Sequence, residues 1–424
     1  MGVEVERRTK IWIGLGTALL VGSTGVECVA LARETPIADP TVKQSGSTLP
    51  DRPRIHIAQA EAAGEGGANE GGGPVLGTIT EFRLSTTDAS AFAYDAKSQV
   101  AGYVDIVGKA YADVQTAAAA LRGAVDALQA APEAETLAAA REAWLAARAA
   151  YLETEAFLNY AGPVDGPGGP LPRLNGWPVD PALIDSLLAD SGQSLAFRAI
   201  ARLNTVEAPV KITTGLHVLE YLLWGADGAL TAEAFAGETG ARRGEYAAAL
   251  TQLFLNDMTV VAAAWAPGAN NYRSSVEAMD QRNALGRAFA GMTALLGYEV
   301  PLRRIGAGLF PANENFQPSP FSRTSAEDNM HSFHGAKAVY FETGLDTLVK
   351  ATDAELAAKI VAEFEAAEAA IGAMSAPYER FLAPPSGSPE RAIAEAAVKA
   401  LTNLARDLRQ AGNRLGILVV VPGM

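Results

Sequence analysis

VAGYVDIVGKAYADVQTAAAALRGAVDAL, residues 100–128, places apolar side chains at Val100, Val104, Val107, Tyr111, Val114, Ala118, Leu121, Val125 and Leu128. Steps of four and three alternate along these nine positions, which is the seam of a long helix packed in a bundle. Pro132 closes that helix at or just before itself, because proline has no N–H for the helical ladder and disfavours helix in the residue ahead of it. Immediately downstream a second seam reads Leu137, Arg141, Trp144, Arg148, Tyr151, Glu155 and Leu158. Charges interrupt it. Arg148 and Glu155 stand two turns apart; either both point to the bundle axis, where an unpaired charge is costly, or they reach the rim on their apolar stems.

Apolar residues three and four apart recur down the chain while alternating β-branched runs are scarce, so the expected fold is all-α. Gly162 to Pro170 ends the second helix and opens a long loop that continues through Asn175-Gly176-Trp177-Pro178-Val179-Asp180-Pro181, where Trp177 and the prolines favour order. A short helix from about Pro181 follows, then one from about Pro209 to Trp224 with Gly225 at its C-cap, then one from about Arg243 to Trp265. These give a first bundle over 84–266, with a hinge at 267–271 and a second bundle over 272–422. The second half reads as a helix from about Ser275 to Leu296, a loop from Pro301 to Pro320, and a helix entered through Phe321 to His331. Thr352 with Glu355 makes a capping box for the next helix. Ser388-Pro389 starts a final helix that ends before Gly412, and the apolar end from Leu415 to Val421 docks on the fold.

With 49% hydrophobic residues, the 424-residue chain has ample material for sizeable cores. Its net charge of -14, with no local basic patch, argues against nucleic acid or anionic lipid as the main partner. Residues 1–32 have the form of an export signal: Arg7, Arg8 and Lys10, an apolar run from Ile11 to Val26, and an Ala30-Leu31-Ala32 cleavage site. Retention as an anchor is the competing reading, weakened by Glu27. Cys28 is the single cysteine, so a chain cleaved after Ala32 has no thiolate for a metal and no membrane span. Residues 33–80, rich in Gly, Ala, Pro and Glu, read as a flexible linker.

The stretch Thr214-Gly215-Leu216-His217-Val218-Leu219-Glu220-Tyr221-Leu222-Leu223-Trp224 concentrates the chemistry. On a helix His217 and Glu220 share one face beside the apolar stripe Leu216, Leu219 and Leu223. A pair at the edge of a core either satisfies itself by a hydrogen bond or offers nitrogen and oxygen to one metal ion. Glu327, His331 and His334 form the other concentration of ligand-type residues, four and three apart; Glu327 also suits a helix start, and His331 can equally be a surface residue.

TTGLHVLEYLLWG, preceded by AWLAARAAYLETEAF and GPVD and accompanied by the NGWPVD, RRGEYAAAL and SPFS stretches in order, resembles the imelysin family of exported bacterial proteins, in particular its iron-regulated protein A branch. The resemblance covers about residues 84–420, and Gly215, His217 and Glu220 carry its most specific motif. It implies two helical bundles related by duplication and packed around a central cleft, and a location outside the cytoplasm, periplasmic or at the cell surface. The family's second motif, FSDNTH followed two residues on by Asp, is altered. Ser322 and Asp328 keep their positions, whereas Arg323 replaces an acid and Ala326 the histidine; His331 or His334 would have to substitute.

Three functions compete. Iron binding for uptake or handling suits mixed imidazole and carboxylate ligands: His217 and Glu220 first, Glu155 second, Asp328 or His331 third. Arg148 would then orient a carboxylate or meet an anion that accompanies the metal, and a membrane iron-transport component would be the partner. Zinc is the alternative metal. A zinc metallopeptidase needs three protein ligands, an open position and a base, and HxxE followed by Tyr221 supplies neither HExxH nor HxxEH. In the third reading the cleft holds a peptide or glycan without metal.

Overall fold

The computed structural model describes residues 92–205, 210–268, 270–309, 317–375 and 377–419; the export-signal and linker readings lie outside them. The fold is all-α. The single extended pairing among the described residues is the bridge between Thr205 and Lys211. The main helices are α1 (Lys97–Ala130), α2 (Ala134–Glu153), α3 (Pro181–Ala189), α4 (Leu216–Trp224), α5 (Gly237–Trp265), α6 (Gln281–Ala294), α7 (Ser325–Glu342), α8 (Ala354–Gly372) and α9 (Pro389–Arg414).

All nine seam positions of α1 are buried. This helix packs along α5 and α2, while α9 lies on α8 and α6. Buried apolar residues from Ala96 to Val419 form one core shared by the helices on either side of 267–271. Leu415, Ile417 and Val419 dock into it. Two glycines set the closest approach at the centre. A Cβ on Gly291 of α6 would stand 1.9 Å from the Ala156 carbonyl oxygen, and one on Gly335 of α7 would stand 2.1 Å from that of Glu153. Both helices can therefore press onto the end of α2 and the 3₁₀ turn Thr154–Phe157 that continues it.

Several boundaries differ from the sequence reading. The helix expected from Pro209 begins at Leu216, because Gly215 takes φ +98°, outside helical geometry, and a Cβ there would meet the Leu174 carbonyl oxygen at 2.7 Å. The helix expected over 275–296 is split into Tyr272–Glu277 and α6, with the Asp280 carboxylate accepting the Asn283 N–H at the restart. Pro301 does not open a loop. It sits inside a π-helix, Leu295–Gly306, that runs on from α6, whose wider turn tolerates a residue with no N–H and a bulky ring. The helix expected from Arg243 already starts at Gly237, and the last one continues to Arg414. The predicted capping box is absent: Thr352 ends the helix Leu345–Thr352, and the Asp353 carboxylate caps α8 by accepting the Leu356 N–H.

Candidate functional site

α4 is held at both ends before its side chains are considered. At its start the Thr213 and Thr214 N–H groups donate to Asn204 Oδ1, Tyr246 Oη donates to the Thr213 carbonyl, and Trp144 Nε1 donates to that of Leu216 at 2.9 Å. At its end Arg141, the first charge in the α2 seam, donates twice to the Leu223 carbonyl (3.0 and 2.8 Å) and once to that of Leu230 (2.6 Å). A cation there satisfies orphan carbonyls and opposes the helix dipole. His217 and Glu220 are thus buried on a fixed first turn and a half.

Glu220 divides its labour between its two oxygens. Oε1 accepts the N–H groups of Phe321 (3.0 Å) and Ser322 (2.7 Å) and the Ser322 hydroxyl (2.8 Å). Oε2 has no hydrogen-bond partner, nor does Nδ1 of His217, and these two buried atoms face each other 3.5 Å apart. Nε2 of His217 lies 2.9 Å from Asn175 Oδ1. That amide is oriented by its neighbours: its oxygen accepts from Arg148 Nη1 at 2.6 Å and its nitrogen donates to Glu155 Oε1 at 3.1 Å. Nε2 must therefore carry the hydrogen, which leaves the lone pair on Nδ1, aimed at Glu220.

Around this pair runs a ring of buried charge. Arg148 donates through Nε and Nη2 to Asp328 Oδ2 (3.0 and 2.8 Å), which also accepts from Ser319 Oγ at 2.6 Å. Arg304, from the π-helix, donates to both oxygens of Glu155 (2.8 and 2.7 Å) and to Ser332 Oγ, and Ser332 donates on to Glu155. Residues four and five apart flank one turn of a π-helix, so Glu299 meets both Arg303 (3.1 Å) and Arg304 (3.4 Å). Desolvation sets the protonation of the central pair. Burial holds His217 well below its ordinary value, with Arg148 and Arg304 adding to the effect. Burial also pushes Glu220 up to about 8, against the lowering influence of the Ser322 hydrogen bonds. Near neutral pH both groups are uncharged, and the carboxyl proton belongs on Oε2, the oxygen facing the Nδ1 lone pair.

The sequence candidates fall into two sets. His217, Glu220, Arg148, Glu155, Asp328 and Ser322 are gathered into this one network. His331 is not: it is 37% exposed on the outer side of α7, 3.6 Å from the surface residue Glu153, and His334 pairs with Glu368. Ala326 is buried and apolar. Asn175, Glu299, Arg304, Ser319 and Ser332 complete the site without having been singled out. Asn175 lies within the NGWPVD stretch, whereas Arg304 falls where the sequence implies a loop and the chain forms a helix. Among the described residues no three His, Cys, Asp or Glu side chains stand together as a metal cluster. The donor set does fit half of one: an imidazole nitrogen and a carboxylate oxygen 3.5 Å apart match the span left by two ligands each about 2.1 Å from an ion, and the second imidazole nitrogen is tied to an amide oxygen, the usual support for a ligating histidine.

A family profile described as Imelysin, a peptidase family, matches residues 107–408. A solved structure from Parabacteroides distasonis, provisionally named an iron-regulated protein A precursor, superposes with a TM-score of 0.63 at 20% identity, covering 76% of this chain and 95% of that one. At that identity the likeness establishes a shared fold. Comparison with curated proteins gave no match.

Proposed function

Because this chain belongs to the imelysin family, we propose that it is an exported metal-handling protein that binds iron, with zinc as the alternative, through Nδ1 of His217 and Oε2 of Glu220. The observation that carries this reading is that two buried atoms of metal-ligating type, an imidazole nitrogen and a carboxyl oxygen, are left without hydrogen-bond partners and stand 3.5 Å apart. Buried polar atoms without partners are rare and call for an occupant. Binding exchanges the Glu220 proton for the metal. Asn175 keeps the hydrogen on Nε2, and the Arg148–Asp328 and Arg304–Glu155 pairs hold Asn175 in turn. The iron-regulated name of the structural neighbour supports iron over other cations. Hydrolysis of peptides would need a third protein ligand and a base, which the described residues do not supply beside the pair.

One observation favours a second reading: a protonated Glu220 facing a lone pair on His217 is also a metal-free structural contact within a peptide- or glycan-binding protein. Calorimetric titration separates the two. The chelator-stripped protein is expected to bind Fe(II) or Zn(II) at one site, to release a proton as it does so, and to lose that binding in His217→Ala while keeping its circular dichroism. Equal binding in the variant would remove the pair from the metal site.

A further inference from the structure

We propose that the site takes its metal together with a small anionic chelator, and that Arg303 at the rim is the residue that meets the anion. This deepens the metal reading above and rests on it.

Two counts lead there. The first is coordination: the protein offers one nitrogen and one oxygen, and no third His, Cys, Asp or Glu among the described residues joins them. An iron ion has more positions to fill than that, so its remaining ligands arrive with it. The second is charge. The ring contains three guanidinium groups, Arg148, Arg303 and Arg304, and three carboxylates, Glu155, Asp328 and Glu299. It is balanced before any metal enters. A divalent ion bound to the Glu220 carboxylate leaves one positive charge uncompensated, and a ferric ion leaves two, in a place where His217 and Glu220 have almost no exposure. Buried charge without a counterion is strongly disfavoured. An anion bound to the metal supplies both the missing ligands and the missing charge.

The position of that anion follows from which arginine has capacity. Arg148 and Arg304 are buried and their donors are engaged on Asp328, Asn175, Glu155 and Ser332. Arg303 is different: its side chain is 30% exposed and it makes one ion pair, with Glu299. Its guanidinium lies 5.4 Å over the ring of Trp177, and that ring is 6.5 Å from the His217 imidazole. Asn175, Trp177 and Ser322, which adjoin the buried pair, are partly exposed, as are Glu299 and Arg303. A guanidinium held over an indole keeps its planar fork of donors available to take a carboxylate by two hydrogen bonds.

The test uses the full chain in equilibrium dialysis with ⁵⁵Fe(III)-[¹⁴C]citrate and, in parallel under anaerobic conditions, with ⁵⁵Fe(II) alone. The proposal expects both labels to be retained in constant ratio. Loss of the Arg303 charge in Arg303→Gln should weaken retention of the citrate complex by roughly 10- to 100-fold, the value of one charge-assisted contact. Fe(II) alone should be affected far less, Arg303→Lys should restore part of the loss, and unchanged melting of each variant checks the fold. Retention of ⁵⁵Fe without ¹⁴C, or equal binding of the complex by Arg303→Gln, overturns the chelate proposal and leaves the metal site standing. Failure to bind either form of iron overturns both.

Discussion

Arg304→Met is expected to destabilise the protein by about 3–5 kcal/mol, the usual cost of removing one partner from a buried ion pair. Arg304 is fully buried and gives Glu155 hydrogen bonds to both oxygens, so the variant leaves a carboxylate in the core with Ser332 and Asn175 as its remaining donors. Methionine nearly fills the space, which confines the effect to lost charge and hydrogen bonding. In urea unfolding the midpoint should fall with little change in slope. The double variant Arg304→Met/Glu155→Leu should recover most of the loss, because an apolar pair of similar volume is tolerated where half an ion pair is not. A cost below about 1 kcal/mol, the scale of exposed pairs, would mean that water reaches this part of the ring.

The second large effect is a pH profile. His217 has a folded value below its ordinary 6.5, so it withdraws stability as pH falls through 6.5. Glu220 has a folded value raised from 4.5 to about 8, so its contribution is complete below 4.5 and is lost as pH rises toward 8. Between 4.5 and 6.5 the two slopes oppose: as pH falls the histidine withdraws stability while the glutamate adds it. The metal-free protein should therefore show a weaker pH dependence from this pair in that window than above 6.5, where it should lose up to about 1.4 kcal/mol per pH unit from it. Glu220→Gln removes the glutamate slope while keeping shape and the Oε1 contacts. Relative to the parent it should gain stability steadily from pH 4.5 to 8, read from urea midpoints at each pH. A constant difference between the two proteins would show that Glu220 is ionised in the fold.

Helix seams were legible because burial writes a period into the sequence, and the nine positions of α1 are the case in point. Arg148 and Glu155 were legible as inward charges for the same reason, since charge within a seam stands out. Their partners were not. Arg304 approaches Glu155 across 149 residues of chain and Asp328 approaches Arg148 across 180, and no local pattern encodes which distant charges meet. Pro301 concealed Arg303 and Arg304 further, because proline ordinarily ends a helix and only the wider π turn reverses that rule. Gly215 was visible as a motif residue, yet its effect, a chain entering the helix about two turns later than its apolar content implied, depends on the Leu174 carbonyl packed against it. His331 misled because four- and three-residue spacing reports a shared helix face without saying whether that face is turned to the core.

The proposed centre is tested most directly by anomalous diffraction at the iron edge from crystals of the iron-loaded protein. The expected result is a peak bonded to Nδ1 of His217 and Oε2 of Glu220, with Nε2 still on the Asn175 amide oxygen. A peak on His331, on the surface pair His334 and Glu368, or on Nε2 of His217, or iron-loaded crystals with no density between His217 and Glu220, would contradict it.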